Sequence, residues 1–324
     1  MLAALRVTAV LGMLAGVAFG AVGQASAQDG GGDLATKTAN PLGGDFMLII
    51  NQFDHINLTG FLDDNNPAVS DPEINIYTVQ PVISAPLNNQ IGPGWSLVFR
   101  PTVQYYFDSD VPDPGSIGLG GNPIDLPGPP FAGIPFSSED GFGDVSAFSL
   151  VGKTIPTTLG GGGAFVLAGG LAASFPWGDN TFSNDKYTLG PAAAAVYLGK
   201  PGVLGALGQQ FFDIADDRSG GSAPDVNKML LQYFYYMNVA PGWQIGASPL
   251  AILDFENDTY EVPIGMGVTY TGPVLPGLPP FKISVEAFNY LEQSDILGSD
   301  WGVKVAIIPI LPSPIRTLFP SLYE

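Results

Sequence analysis

The sequence predicts an all-β fold, a transmembrane antiparallel up-and-down β-barrel of about 12 strands over residues 45–311. Apolar, aromatic-rich segments of strand length alternate with long acidic connections and short turns that contain no acidic residue. Most of the 30 Asp and Glu residues lie in the long connections, 54–72, 108–143, 177–186, 214–225, 254–261 and 292–300. The acid-free turns are 86–94, 154–162, 199–202, 240–242 and 272–280. Because outer-membrane barrels have short periplasmic turns and long outer loops, the pattern also predicts the orientation.

The N-terminus predicts export through the Sec pathway. Arg6 precedes an apolar run from Val7 to Val22, and Ala25-Ser26-Ala27 then forms a small-x-small cleavage site before Gln28. The alternative, an uncleaved membrane anchor, is disfavoured because the run is short and rich in glycine. We therefore predict a signal peptide at 1–27, a periplasmic N-terminal segment at 28–44, the barrel at 45–311 and a C-terminal tail at 312–324, in the cell outer membrane.

Composition excludes several classes of function. The formal net charge of −19 opposes binding to nucleic acid, whose phosphates need a basic surface. The sequence contains no cysteine, so it has no disulfides and no thiol chemistry.

Strand-length segments with a two-residue period are predicted in order along the chain: 45–53, 74–85, 95–106, 144–153, 163–175, 187–198, 202–213, 228–238, 243–255, 259–272, 281–291 and 301–309. Segment 259–272 is the clearest, because one face is wholly apolar or aromatic: Tyr260, Val262, Ile264, Met266, Val268 and Tyr270. A soluble β-sandwich or a lipocalin-like barrel is the alternative. Such a fold gives no reason for the acidic residues to be confined to alternate connections.

Eight polar or charged residues fall on the inward faces of these strands and are the predicted pore-lining candidates: Arg100, Gln104, Lys228, Gln232, Asp254, Lys282, Glu286 and Lys304. Charged rings inside a pore set its selectivity. An internal salt-bridge network that stabilises or closes the barrel is the equal alternative. Other inward positions, such as Gly265, Gly267 and Ser284, are small and predict a lumen poor in bulk, although 28–44 or 108–143 is long enough to fold inside.

Several motifs, in order and at matching spacing, give the chain a family resemblance. They are Leu34-Ala35-Thr36-Lys37-Thr38-Ala39-Asn40-Pro41, Val79-Gln80-Pro81-Val82, Gly141-Phe142-Gly143-Asp144, Lys186-Tyr187-Thr188-Leu189-Gly190-Pro191, Asp225-Val226-Asn227-Lys228, Val262-Pro263-Ile264 and Asp300-Trp301-Gly302. With these motifs the chain resembles the outer-membrane barrels labelled "MetA-pathway of phenol degradation". The resemblance implies a transporter-like barrel for aromatic or other hydrophobic compounds. The chain departs from such barrels in its tail, because they usually end on the aromatic residue that closes the last strand.

The predicted function is a passive pore or transporter for small molecules, with no enzymatic activity, catalytic residue, cofactor or metal. A structural or adhesive barrel is one alternative. An outer-membrane hydrolase is another, and it would use His55 with the neighbouring Asp54 and Ser70. The expected partners are outer-membrane lipid and lipopolysaccharide, the barrel-assembly machinery and a small-molecule solute. The acidic groups at 108–113 and 254–261 are interpreted as solvated loop residues rather than Ca²⁺ ligands, because they lack the spacing of a helix-loop-helix site.

Overall fold

The structure is a computed structural model, and it describes Leu34, Ala35, Thr38 and the ranges 46–64, 71–112, 136–217 and 225–322. The predicted signal peptide, 1–27, and most of the predicted periplasmic segment, 28–44, lie outside the described residues. In the part of the chain that is described, no helix has the length and hydropathy needed to cross a membrane.

The strands form one closed antiparallel sheet in which the first strand pairs with the last. Their bounds are β1 Phe46–Thr59, β2 Glu73–Pro86, β3 Trp95–Pro112, β4 Phe136–Phe142, β5 Val145–Thr157, β6 Gly163–Phe175, β7 Lys186–Gly199, β8 Gly202–Asp216, β9 Asn227–Ala240, β10 Trp243–Ala247, β11 Leu250–Asp254, β12 Thr259–Gly272, β13 Phe281–Glu292 and β14 Gly298–Pro312. Short helical turns lie at Phe61–Asp64, Asn88–Ile91, Leu159–Gly161, Pro314–Leu318 and Pro320–Leu322.

Two of the strands that circle the barrel are each built from two pieces. β4 and β5 both pair with β3, and β10 and β11 both lie between β9 and β12. The barrel therefore has 12 strands, and the predicted fold class is confirmed. Neighbouring strands run antiparallel, and the pairing of β1 with β14 closes the sheet, as a lipid environment requires.

Several predicted boundaries differ from the structure by a few residues, and three differ substantially. β1 continues to Thr59, because Asp54 pairs with Lys304 across β14 instead of starting a loop. β3 continues to Pro112 and pairs with β4, so the ends of the predicted loop 108–143 form a hairpin, while 113–135 lies outside the described residues. The predicted strand 243–255 is interrupted between β10 and β11.

The outer face of the barrel carries an apolar band. Leu171, Met266 and Met237 each expose more than half of their side-chain surface there. The predicted faces of 259–272 are confirmed, since Ile264, Met266 and Val268 are exposed on the outside. A contiguous apolar surface of this kind is unfavourable in water and favourable in lipid.

Aromatic pairs mark both ends of the apolar band. Trp243 and Tyr270 lie 5.0 Å apart at the end with the short turns, and Phe175 and Trp177 lie 4.8 Å apart at the end with the long loops. Aromatic rings favour the headgroup level because they are apolar in the body and polar at the tip. The two girdles therefore define the membrane-spanning part of the wall.

A charge in the middle of the apolar band should destabilise the barrel. We expect Leu171→Lys to lower the free energy of unfolding in lipid vesicles by about 2–4 kcal/mol, because the lysine is held away from water. Urea unfolding followed by tryptophan fluorescence measures the change. Leu275→Lys is the matched control: both leucines are 58% exposed, but Leu275 lies in the turn between β12 and β13, so the loss should be about 1 kcal/mol or less. Equal losses would contradict a membrane-spanning band.

Candidate functional site

The barrel interior contains a cavity of about 160 Å³. Inward side chains of nine strands surround it, because alternate residues of each strand face the lumen, and Ser248 between β10 and β11 completes the lining on that side. Most of its wall is apolar and includes Leu48, Ile50, Val98, Phe148, Leu150 and Phe234. The cavity therefore has the size of a small organic molecule and a mainly apolar wall.

The prediction of a lumen poor in bulk was wrong for this region. The inward glycines of β12 do not leave open space, because larger neighbours cover them. A Cβ on Gly265 would collide with the Phe288 ring, and one on Gly267 would lie 2.7 Å from Glu286. Glycine at these two positions makes room for the side chains of β13.

Three cations line the cavity, and no carboxylate does among its described lining residues. The Arg100 guanidinium lies 4.5 Å from the centre of the Phe148 ring, and its Nη2 donates to Gln232 Oε1 at 3.5 Å. Arg100 Nε is buried and has no hydrogen-bond partner in the described part of the chain. Lys282 Nζ lies 4.8 Å above the Tyr236 ring, and Lys304 is the third cation.

The structure brings together only some of the eight predicted residues. Arg100, Gln232, Lys282 and Lys304 line the cavity, and Glu286 lies behind its wall, 3.8 Å from Lys304.

Three of the eight lie elsewhere. Lys228 and Asp254 form an ion pair at 3.7 Å on β9 and β11, at the end of the barrel with the long loops. Gln104 is on the inward face of β3, four residues beyond Arg100, and does not line the cavity. The two ion pairs fit the salt-bridge interpretation, whereas Arg100 and Lys282 make no ion pair with any described residue.

Sequence reasoning missed several residues of the site. Asp54 accepts a hydrogen bond from Gln52 Nε2 at 2.6 Å and faces inward on β1. Thr38 lines the cavity, so this part of the segment before β1 lies inside the barrel. Its Oγ1 donates to the carbonyl of Leu34 at 2.9 Å. The alternation of inward and outward residues along β1 places Asp54 on the inward face, but no local pattern in the sequence predicts where Thr38 docks.

The wall of the barrel is broken beside the cavity. β10 ends at Ala247 and β11 begins at Leu250, and Pro249 between them has no N–H to donate. β12 pairs with β10 and with β11 at either end of the interruption, so 262–266 lack a strand partner on that side. We call this region the β10–β11 break.

Two tyrosines of β9 close the break from the outside. The Tyr233 hydroxyl donates to the carbonyl of Pro263, and the Tyr235 hydroxyl donates to the carbonyl of Gly265 at 2.5 Å. Both carbonyls belong to the unpaired stretch of β12. A buried carbonyl without a donor costs about 1–3 kcal/mol, so the hydroxyls replace strand hydrogen bonds that the break removes.

Glu286 and Lys304 close the break from the inside. Glu286 Oε2 accepts from Ser248 N at 2.9 Å, and its Oε1 accepts from the Tyr236 hydroxyl at 2.7 Å. Lys304 Nζ donates to the Ser248 carbonyl at 2.8 Å. Both backbone groups of Ser248 are therefore satisfied by charged side chains, and Glu286 is only 1% exposed.

Several acidic residues of the long loops bind backbone or lysine. Asp254 accepts from the backbone N–H groups of Glu256 and Asn257, and Asp110 accepts from Glu73 N. Lys186 lies within 3.6 Å of three carboxylates, those of Asp213, Asp216 and Asp225. No group of three or more His, Asp or Glu side chains among the described residues is arranged to hold a metal ion.

His55 lies on the outer face, where Asp54 cannot reach it because neighbouring residues of a strand face opposite sides. Its Nδ1 is 2.9 Å from Asn75 Oδ1, and its Nε2 is 3.8 Å from Glu73 Oε2. Phe53, Asn57 and Val303, its described neighbours on that face, supply no serine, threonine or cysteine nucleophile. Ser70, the nucleophile considered above, lies outside the described residues.

Comparison with solved structures supports the fold. The chain is similar to an outer membrane channel from Pseudomonas putida F1, at 12% identity and a TM-score of 0.53, covering 82% of this chain and 96% of that one. Two weaker matches are outer membrane phospholipase A from Escherichia coli, at 10% identity and a TM-score of 0.41 over 86% and 98% of the chains, and the toluene transporter TbuX from Ralstonia pickettii, at 10% and 0.36 over 85% and 93%. At 12% identity the match to the Pseudomonas putida channel shows the fold alone.

No family model matches the chain, and no curated protein matches it. The resemblance to the barrels labelled for phenol degradation therefore stays a prediction. Fold and site together define a membrane-spanning β-barrel with a charged internal cavity.

The tyrosine closure of the break can be tested by removing single hydroxyls. We expect Tyr233→Phe and Tyr235→Phe each to lower the free energy of unfolding by about 1–3 kcal/mol, because each leaves a β12 carbonyl unpaired. Amide hydrogen exchange at 262–266 should rise in both variants. Tyr260→Phe, which removes another hydroxyl from the outer face, should change neither measurement. Unchanged exchange in the first two variants would show that the hydroxyls do not hold the break.

Removal of the Glu286 carboxylate should be more damaging. We expect Glu286→Ala to lower the free energy of unfolding by about 3–5 kcal/mol, because Lys304 and Ser248 N lose their buried partner. Glu286→Gln, which keeps an acceptor oxygen, should lose less. Glu292→Ala, at the exposed end of the same strand, is the control and should change stability by about 0.5 kcal/mol or less. Similar losses for both alanine variants would rule out the sealing role of Glu286.

Proposed function

We propose that this chain is an outer-membrane transport barrel through which small, mainly apolar molecules cross passively. The observation that carries the proposal is the apolar-walled cavity of about 160 Å³ inside a closed, membrane-spanning barrel. Ligand sites are typically concave and mainly apolar, with a few fixed polar groups. This cavity has that composition.

The size of the cavity favours single-ring solutes. A dry protein cavity of about 150 Å³ is large enough to hold benzene. The resemblance to barrels labelled for phenol degradation supports the same choice. The β10–β11 break adjoins the cavity, since Ser248, Tyr236 and Lys304 take part in both. At this point side-chain contacts, and not a continuous strand pair, separate the cavity from the apolar band.

The same proposal places the barrel in the outer membrane of a Gram-negative bacterium. The acidic long loops would face outward, toward lipopolysaccharide, and the short turns would face the periplasm. Insertion of such a barrel would use the barrel-assembly machinery. These partners are inferred from the fold class and the distribution of acidic residues.

A structural or adhesive barrel is the second candidate. The observation in its favour is that bulky side chains, including Phe148, Leu150 and Phe211, are packed inside the barrel around the cavity. A barrel of this kind would be folded and inserted but would pass no solute. Filling the cavity without disturbing the outer face separates the two functions.

Two neighbouring alanines of β7 supply that experiment. Ala194 lines the cavity, whereas Ala193 faces outward. We expect Ala194→Phe to reduce uptake of radiolabelled phenol at least tenfold, because the added ring occupies the cavity. Uptake is measured in vesicles with lipopolysaccharide in the outer leaflet, which slows direct diffusion of phenol through the lipid.

Ala193→Phe is the matched control and should leave uptake unchanged. Heat-modifiable mobility on gels confirms that both variants are folded barrels. If wild-type vesicles take up phenol no faster than empty vesicles, or if both variants take it up at the wild-type rate, transport through this cavity is excluded.

A further inference from the structure

We infer that the cavity binds a small organic carboxylate whose hydrocarbon part is about the size of one aromatic ring. The inference rests on the proposed transport function and names the substrate class of the same site. It follows from the charges of the lining residues, the open hydrogen-bonding positions of two of them and the apolar wall.

The charge of the cavity lining is opposite in sign to the net charge of the whole chain. The chain has 30 acidic residues against 11 lysines and arginines, yet the described residues that line the cavity include three cations and no carboxylate. The two inward carboxylates nearby are already engaged. Glu286 accepts from Ser248 and Tyr236, and Asp54 accepts from Gln52. A positive charge held in an apolar enclosure is unfavourable until an anion compensates it, so the site favours an anionic occupant.

Arg100 offers the geometry that a carboxylate needs. A guanidinium binds a carboxylate through two parallel N–H groups. Arg100 Nε is buried without a partner, and Nη2 reaches Gln232 only at the outer limit of a hydrogen bond, 3.5 Å. The Phe148 ring, 4.5 Å from the guanidinium carbon, holds the group by a cation–π contact that uses none of its N–H donors. The guanidinium therefore has one buried donor without a partner and one held only loosely, and a ligand carboxylate that took the place of Gln232 would satisfy both.

Lys282 supplies a second charge without a fixed partner. Among the described residues its ammonium contacts the face of the Tyr236 ring and forms no ion pair, whereas Lys304 is committed to Ser248 and Glu286. An aromatic ring attracts a cation but leaves its N–H donors free for an oxygen acceptor. Arg100 and Lys282 are therefore the two cations that remain for the ligand.

The rest of the cavity selects against highly charged anions. A phosphate group has up to two charges and three strong acceptor oxygens, which need many donors. The lining outside the cations is dominated by side chains such as Leu48, Val98 and Phe148, which cannot donate. One carboxylate head on an apolar body of one ring satisfies both the cations and the wall.

Equilibrium binding to the full barrel, purified in detergent, tests the inference. The probes are 4-fluorobenzoate and 4-fluorobenzamide, which have nearly the same shape but differ in charge, and fluorine NMR measures their affinities. We expect saturable binding of the benzoate, with the amide at least tenfold weaker. Equal affinities, or no saturable binding of the benzoate, would overturn the inference.

Substitution assigns the binding to the two cations. Arg100→Gln should weaken the benzoate at least tenfold and leave the amide unchanged, whereas Arg100→Lys should keep part of the affinity. Lys228→Gln removes an inward cation that is paired with Asp254 away from the cavity, and it should change neither probe. If Arg100→Gln weakens both probes alike, Lys282→Gln decides: selective loss of the benzoate supports the inference, and an equal loss or no loss overturns it.

Binding and transport can fail separately. Selective benzoate binding without phenol uptake by the vesicles would overturn the transport proposal but leave the anion site. Phenol uptake that Ala194→Phe blocks, together with no preference for benzoate, would leave the transport proposal and overturn the carboxylate inference.

Discussion

The hydrogen-bonding demand of the backbone inside a lipid bilayer governs this structure. A lipid-facing carbonyl or N–H cannot turn to water, so the strands must pair on both sides and the sheet must close. Pairing between adjacent strands meets this demand around most of the wall, and the pairing of β1 with β14 closes the sheet. At the β10–β11 break strand pairing fails, and side chains take its place: tyrosines on the lipid side, and Glu286 with Lys304 on the lumen side.

The same demand shapes the electrostatics of the interior. Glu286 sits on an inward face of β13, behind the wall of the cavity that Lys282 and Lys304 line. It is fixed by the backbone of Ser248 and shared with Lys304, because an unpaired N–H at the break would be costly. Arg100 and Lys282 are left without a carboxylate partner. The excess positive charge of the cavity therefore follows from the use of Glu286 to bind the backbone at the β10–β11 break.

The sequence predicted the barrel, its strand number and the faces of its most regularly patterned strand, 259–272. A two-residue period and a lipid-facing band leave little freedom in such a strand. Glu286 and Lys304 could be assigned to the lumen on this basis. Pro249 hinted at an interruption, but proline also occurs at bulges and edges, so the break was not predictable. Gly267 was interpreted as a place where the lumen is open. The two-residue period of a strand shows which face a residue lies on, but not which side chains fill the space beside it. Thr38 docks through long-range contacts, which no local pattern encodes.

The two tyrosines of the break have a consequence for the fidelity of assembly. Each tyrosine of β9 reaches past β10 and β11 to a carbonyl of β12. These neighbouring strands must therefore be aligned before either bond can form. A slip of β9 by a single residue would turn both rings into the lumen and leave the carbonyls of Pro263 and Gly265 facing lipid. Misregistered intermediates would be penalised at this point. The interruption of β10–β11 therefore favours the native strand register during assembly, because the two tyrosine hydrogen bonds form only in that register.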